Sequence, residues 1–230
     1  MNLPAFGKCA AIWAVVLVSV AGCPPGRHEV PMHKGDYRPD HLEPVTPGPP
    51  WHGRYRSMVR ELLIVSPGDC GRVIMTPAFA SESAVSVYTR DGRCFITATE
   101  ATRQIWGSIA AHESEEVTRA IAILRWDKEI DLDLAQAIHA VWSDRVRKAR
   151  PAESEYRGSD GEWMEFSVES TDGAELAGET WSPDSGPLRR LVDLARELGN
   201  FCADTPGRRN MTREELLRLC AALVCEGDPE

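Results

Sequence analysis

Half of the sixteen prolines in this chain of 230 residues fall between Pro24 and Pro50. Each proline removes a backbone donor and fixes φ at about −65°, which rules out helix interiors and central strands. The stretch has almost no aliphatic periodicity to bury, so it favours extended polyproline II and reads as a semi-stiff tether. Residues 23–50 are therefore expected to be a tether, and 51–225 one globular domain with a sizeable core.

Ahead of the tether, Ala10 to Val20 is an uncharged apolar run. It follows a single cation, Lys8, and ends in the small residues Ala21 and Gly22. The run is much shorter than the ~20 residues of a spanning helix, and its flanks match a secretory signal peptide over 1–22. Val20-Ala21-Gly22-Cys23 resembles the bacterial lipobox, with Val20 where leucine is usual. The resemblance implies a lipoprotein in which Cys23 receives a diacylglyceryl group and becomes the acylated N-terminus. Several acyl tails, of palmitate type, anchor stably where one chain binds only marginally. Pro24 in place of aspartate after the cysteine favours the outer membrane over the inner.

The formal charge is −9, and removal of residues 1–22 takes away Lys8 alone among charged residues, leaving the mature chain at −10. Nucleic-acid binders neutralise phosphates with clustered Lys and Arg, so nucleic acid is excluded as a partner. A basic periplasmic protein is electrostatically easier.

Within 51–225, Leu62 to Val65 and Val73 to Met75 read as short strands ended by Ser66-Pro67-Gly68 and Thr76-Pro77. Val85 and Val87 alternate with smaller residues before Asp91-Gly92, and Cys94 to Thr99 returns, an arrangement that predicts a hairpin. Ile105–Ile109 and Val117–Leu124 fit further strands, while Glu113 to Glu116 fits equally the start of a helix through 125. Asp131 is expected to cap a helix to about Lys148, with Leu134, Ile138, Val141 and Trp142 on its apolar stripe. Met164, Phe166 and Val168, Asp172-Gly173 and Leu176 to Trp181 form a second predicted hairpin. Leu188 to Leu198 repeats at helical spacing up to Gly199, and Thr212 with Glu215 makes a capping box for a last helix. This order predicts an α+β fold, a mainly antiparallel sheet with about three helices packed on one face.

Residues 160–198 resemble an uncharacterised family of bacterial exported proteins and lipoproteins. The resemblance rests on Asp160-Gly161, Trp163, Asp172-Gly173, Trp181-Ser182-Pro183 and Gly186, followed by a helix holding Arg189 and Leu191. The stretch from Trp163 to Asp172 is two residues longer than the family pattern, so either Glu165 or Glu169 matches its acidic position. The resemblance implies an extracytoplasmic domain and transfers no catalytic residue.

Of seven cysteines, Cys9 lies in the signal peptide and Cys23 at the lipid. Export favours disulfides, for which Cys70 with Cys94 and Cys202 with Cys225 are the candidate pairs. Cys220 lies on the apolar stripe of the last helix, as a buried thiol would.

Catalytic motifs are fragmentary. His112-Glu113 lacks the second histidine of a zinc-protease helix, and Asp127, Asp131 and Asp133 lack the glycine and glutamate of a calcium loop. His28, His33, His41 and His52 match no ligand spacing, and no nucleophile elbow, phosphate loop or dinucleotide fingerprint occurs. Trp106, Trp126, Trp142, Trp163 and Trp181 would serve either as a platform or as core. No catalytic residue, cofactor or metal is assigned. The favoured reading is an interaction module, and its rival is a cell-envelope hydrolase using carboxylates near Trp163, Glu165 among them. The address itself is testable: mass spectrometry should find the mature chain beginning at an acylated Cys23, and a Cys23→Ser variant should leave the membrane fraction. An intact Met1 terminus, or a serine variant equally membrane-bound, overturns the lipid anchor.

Overall fold

The computed structural model describes residues 40–45, 50–64, 69–151, 161–170, 172–204 and 210–225, all within one compact unit spanning 37–230. The lipobox, the signal peptide, His28, His33 and most of the Pro-rich segment lie outside the described residues.

The elements run β1 (Glu43–Pro44), α1 (Pro50–Leu63), β2 (Asp69–Pro77), β3 (Ser83–Arg90), β4 (Arg93–Ala101), α2 (Ile105–Ala110), α3 (Glu115–Arg119), β5 (Ile123–Ile130), α4 (Leu132–Arg147), β6 (Glu162–Glu169), β7 (Glu175–Trp181), α5 (Gly186–Ala203) and α6 (Arg213–Cys225). Every pairing in the seven-stranded sheet is antiparallel, in the order β1-β7-β6-β2-β3-β4-β5. The α+β class and the antiparallel sheet are as expected.

Both hairpins form where the turn residues place them. Asp91 and Gly92 take φ of 53° and 74°, the two positive values that a two-residue turn twisting with its strands requires. Gly173, at φ 80°, sits in the turn joining β6 to β7. Asp131 accepts from the Leu134 amide at 3.0 Å and so caps α4. The capping box is reciprocal: Thr212 N–H donates to Glu215 at 2.8 Å, and Glu215 N–H to the Thr212 hydroxyl at 3.2 Å. Arg213 also pairs with Asp131, tying α6 to the start of α4. That pair and the Leu134 amide hold the Asp131 carboxyl down at about 2.

Strand alternation sends side chains to two separate clusters. Val73, Met75, Val85, Val87, Ile96, Met164, Phe166 and Val168 join α4, α5 and α6 in the main core. Ile74, Ala84 and Ala101, on the other face, join Tyr55, Met58, Val59 and Leu63 of α1 and Ile105 of α2. The helices number six among the described residues, and apolar clusters lie on both faces, where about three helices on one face were expected.

Several elements differ from the sequence reading. Leu62 and Leu63 end a helix instead of opening a strand. Tyr55, Met58, Val59 and Leu63 are buried at helical spacing, a longer pattern than the short apolar run suggested. Ile105 to Ala110 is helical because its first amides are held by the buried Glu82, which accepts from Ile105 N–H at 2.7 Å and Trp106 N–H at 2.9 Å. Residues 113–125 divide into a helical turn, capped by Ser114, and the start of β5. Gly199 does not end α5, which continues to a left-handed cap at Asp204. A Cβ at Gly199 would stand 3.4 Å from Val85, an ordinary contact, so the position needs no special backbone and the helix runs on through it.

The tether gives its last part to the fold. Leu42 is fully buried in the main core, and Glu43–Pro44 pairs with Gly178 and Glu179 of β7. Gly178 makes the fit possible, since a Cβ there would meet Leu42 at 2.9 Å. Prolines at the sheet edge cost no ladder bond, which is how a Pro-rich segment can supply a strand. Leu42→Ala should cost about 3 kcal/mol of unfolding free energy in a urea titration, the range of a buried leucine. A change below about 0.5 kcal/mol would put residue 42 back in the tether.

Candidate functional site

The α1 face of the sheet carries an unusual row. Register places Glu43 opposite Glu179, Glu179 opposite Glu165, and Glu165 opposite Ile74, so three glutamates stand side by side across β1, β7 and β6. Glu43 is 5% exposed and Glu179 1%. Directly opposed like charges repel. Arg56 and Arg60 of α1 answer them: Arg56 pairs with Glu179 and lies 4.0 Å from Glu165, and Arg60 pairs with Glu165 and lies 3.4 Å from Glu175. Arg72 of β2 reaches Glu175 at 2.7 Å. Burial pushes the Glu175 carboxyl up, but the hydrogen bond and charge of Arg72, with the charge of Arg60, outweigh it and hold it below the usual carboxylate range. Burial likewise works against the Arg60 cation, and Glu165 restores it to above its ordinary value.

The row includes Glu165, one of the carboxylates near Trp163 that the hydrolase reading requires. It does not face a cleft. Only about 20 Å³ remains beneath α1, bordered by Tyr55, Arg56, Arg60, Trp163, Glu165 and Glu179, room for about one water and for no sugar or peptide. Glu169 is exposed at the far end of β6, across from Glu175. Glu82, fully buried, accepts from Tyr55 Oη at 2.8 Å besides capping α2. Burial, then the Glu82 charge, drives the Tyr55 hydroxyl well above its ordinary titration range.

The other side-chain candidates do not assemble. His112 is exposed at φ 56° between α2 and α3, so His112-Glu113 is not on a helix. Asp131 is a cap, and Asp127 holds Thr97 and Arg125. His41 contacts Asp40, whereas His52 borders the space under α1. Among the described residues no group of His, Cys, Asp and Glu is arranged to hold a metal ion. Trp142 is core, Trp163 and Trp181 are cross-strand partners, Trp106 packs edge-on to Tyr55 at 5.5 Å, and Trp126 borders a groove, so the five make no single platform.

The five described cysteines are free thiols, in contrast to the two expected bridges. Strand β3 lies between Cys70 on β2 and Cys94 on β4, a separation of roughly 9–10 Å across two strand spacings. A disulfide needs Cα atoms within about 7 Å. Thr89 stands between them instead, 3.7 Å from one sulfur and 3.8 Å from the other. Cys202 points into the sheet and donates to the carbonyls of Ile96 at 3.3 Å and Trp126 at 3.1 Å, while Cys225 is exposed at the end of α6. Burial pushes the Cys202 and Cys220 thiols up to about 11, which keeps them unreactive.

A groove of about 920 Å³ opens between α5 and one end of the sheet. Its floor is Met75, Val85, Ala98 and Trp126, and its sheet-side rim is Ser83, Glu100 and Leu124, consecutive across β3, β4 and β5. From α5 come Arg189, Asp193, Arg196 and Glu197. Arg196 pairs with Glu162 of β6, and Arg189 lies 3.0 Å from Asp193. Periodicity identified α5 as an amphipathic helix, but the coincidence of Glu100 and Glu197 depends on tertiary register that local sequence does not carry.

Comparison of the chain with family models, curated proteins and solved structures returns no match. Among the described residues no helix is long and apolar enough to cross a membrane.

The ionic row has a measurable consequence. Arg56→Met leaves Glu179 buried without its cation and should cost about 3 kcal/mol. Adding Glu179→Leu should recover at least about 1 kcal/mol of that loss, because a buried pair replaced by apolar groups is near neutral. Additive losses in urea titrations of the two single variants and the double variant would show that the two side chains do not couple.

Proposed function

We propose that the protein is a lipid-anchored lipoprotein of the bacterial cell envelope whose α+β domain acts by binding a basic partner. The lipobox-like Val20 to Cys23, the short apolar run before it, and the resemblance of residues 160–198 to exported lipoproteins support the address. The acyl chains hold the chain to the membrane, with the outer membrane favoured by Pro24, and the Pro-rich segment spaces the domain from it.

The observation that carries the binding role is how the carboxylates are divided. Glu82 and Glu179, which are buried, and Glu165, which is half-buried, are engaged by amides, a tyrosine and arginines beneath α1, where no substrate-sized space adjoins them. The remaining acidic excess is on the surface, where it steers a cationic protein toward the domain. Glu165 beside Trp163, the rival hydrolase carboxylate, is closed under α1. A pull-down from envelope extract at low salt should retain basic proteins that a control bearing only the lipid anchor does not, and the retention should fall as salt rises. Recovery equal to the control would refute the binding role.

A further inference from the structure

We propose that the groove between α5 and the β3-β4-β5 end of the sheet is the docking site, and that its occupant is an extended segment of a partner protein in which cationic and apolar side chains alternate. This rests on the binding role proposed above and assigns that role a place and a ligand chemistry.

Charge is the first argument. The arginines bordering the groove are already spoken for: Arg196 pairs with Glu162 and lies 3.6 Å from Asp193, which Arg189 also engages. Glu100 on the sheet wall and Glu197 on the helix wall make no ion pair among the described residues, so two open carboxylates stand on opposite walls. An arriving Lys or Arg meets attraction from both walls, while an anionic segment meets repulsion.

Apolar surface in the same place is the second. At the bottom of the groove Met75, Val85 and Ala98 are buried, Trp126 is half-buried, and Leu124 at the rim is 46% exposed on the edge strand. Phe79, 83% exposed, is carried by the loop joining β2 to β3, which leaves the sheet at this same end. The loop is not free to fold Phe79 away: Gln104 donates its side-chain amide to Ala78 O at 3.1 Å and Ala80 O at 3.0 Å. Phe79 is not one of the groove's lining residues, but Leu124 is held outward on the same rim as Glu100, and such apolar groups beside carboxylates are what an amphipathic segment buries. At about 920 Å³ the groove lies near the top of the roughly 300–1,000 Å³ range of small-molecule sites, but its floor extends across four strands, β2 to β5, which suits a chain segment better than a compact ligand.

The test uses the full chain in nanodiscs of zwitterionic lipid, with empty nanodiscs as the blank. The probe is a fluorescein-labelled peptide of alternating lysine and leucine, followed by anisotropy. A glutamate–leucine peptide and free spermine serve as comparison ligands. The lysine–leucine peptide should bind and the glutamate–leucine peptide should not. Glu100→Lys with Glu197→Lys should weaken binding at least about tenfold, and Glu100→Gln with Glu197→Gln by less. Glu169→Lys with Asp172→Lys makes the same charge change at the β6–β7 turn, at the far end of β6 from the groove-lining Glu162, and should leave binding within about twofold.

Absence of lysine–leucine binding, equal loss in the two lysine double variants, or equal binding of the anionic peptide would each overturn the proposal. Displacement of the peptide by spermine at equal concentration would assign the site to a free polyamine and overturn it too. The envelope pull-down separates the two levels. Basic proteins retained equally by wild type and Glu100→Lys/Glu197→Lys sink the groove and leave the binding role standing. A pull-down that recovers none with either form sinks the binding role, and the peptide titration then judges the groove alone.

Discussion

Three glutamates in register across β1, β7 and β6 can be buried only beneath an element that brings cations to them. Helix α1 is that element, and the requirement ties together parts of the chain far apart in sequence. Arg56 and Arg60 are one helical turn apart and so present two guanidinium groups to one row. The row itself exists only if Glu43 is zipped onto β7. Ion pairing at this depth is weak evidence for extra stability, because desolvation consumes much of the Coulomb gain. Its stronger effect is on specificity. A one-residue slip of β7 against β6 would turn Glu179 toward the apolar main core, away from Arg56.

The opposite face is organised by shape. Trp142 fits against Gly71, where a Cβ would stand 2.8 Å from its ring, and Leu42 fits against Gly178. Arg145, 6% exposed, donates to the Leu223 carbonyl at 2.6 Å and thus places a cation at the negative end of α6. Helix α5 packs on β3 and β4, while the rim Ser83-Glu100-Leu124 at the end of the strands is left uncovered. The groove therefore arises where a well-packed helix stops covering the sheet.

Local chemistry was legible and long-range register was not. Asp91-Gly92, the Asp131 cap and the Thr212–Glu215 box each act within four residues, so the sequence carries the whole interaction. In the sequence of α1 a continuous apolar run begins only at Leu62, ahead of Ser66-Pro67-Gly68, while Tyr55, Met58 and Val59 are set apart by arginines and a glutamate, so the helical stripe is hidden. Those arginines look like a solvated face until the glutamates under them are known. Helix α2 shows the same limit, because its N-terminal amides are held by Glu82, 23 residues upstream of Ile105. The cysteine pairings failed for a related reason: nearness of predicted strands does not tell whether another strand lies between them.

Burial sorts the carboxylates by what they can do. A carboxylate that is buried and already paired has its orientation fixed and its charge neutralised, so binding a second cation there would require losing the first. Glu165 and Glu179 are in that state, and their position under α1 makes them part of the scaffold, although Glu165 beside Trp163 reads in sequence as a candidate hydrolase carboxylate. Glu100 and Glu197 are the reverse case. Each costs little to hold in water, neither supports the fold by an ion pair, and both stand where apolar surface remains uncovered. Their charge is available because the structure does not use it, which is the physical distinction between them and the carboxylates near Trp163.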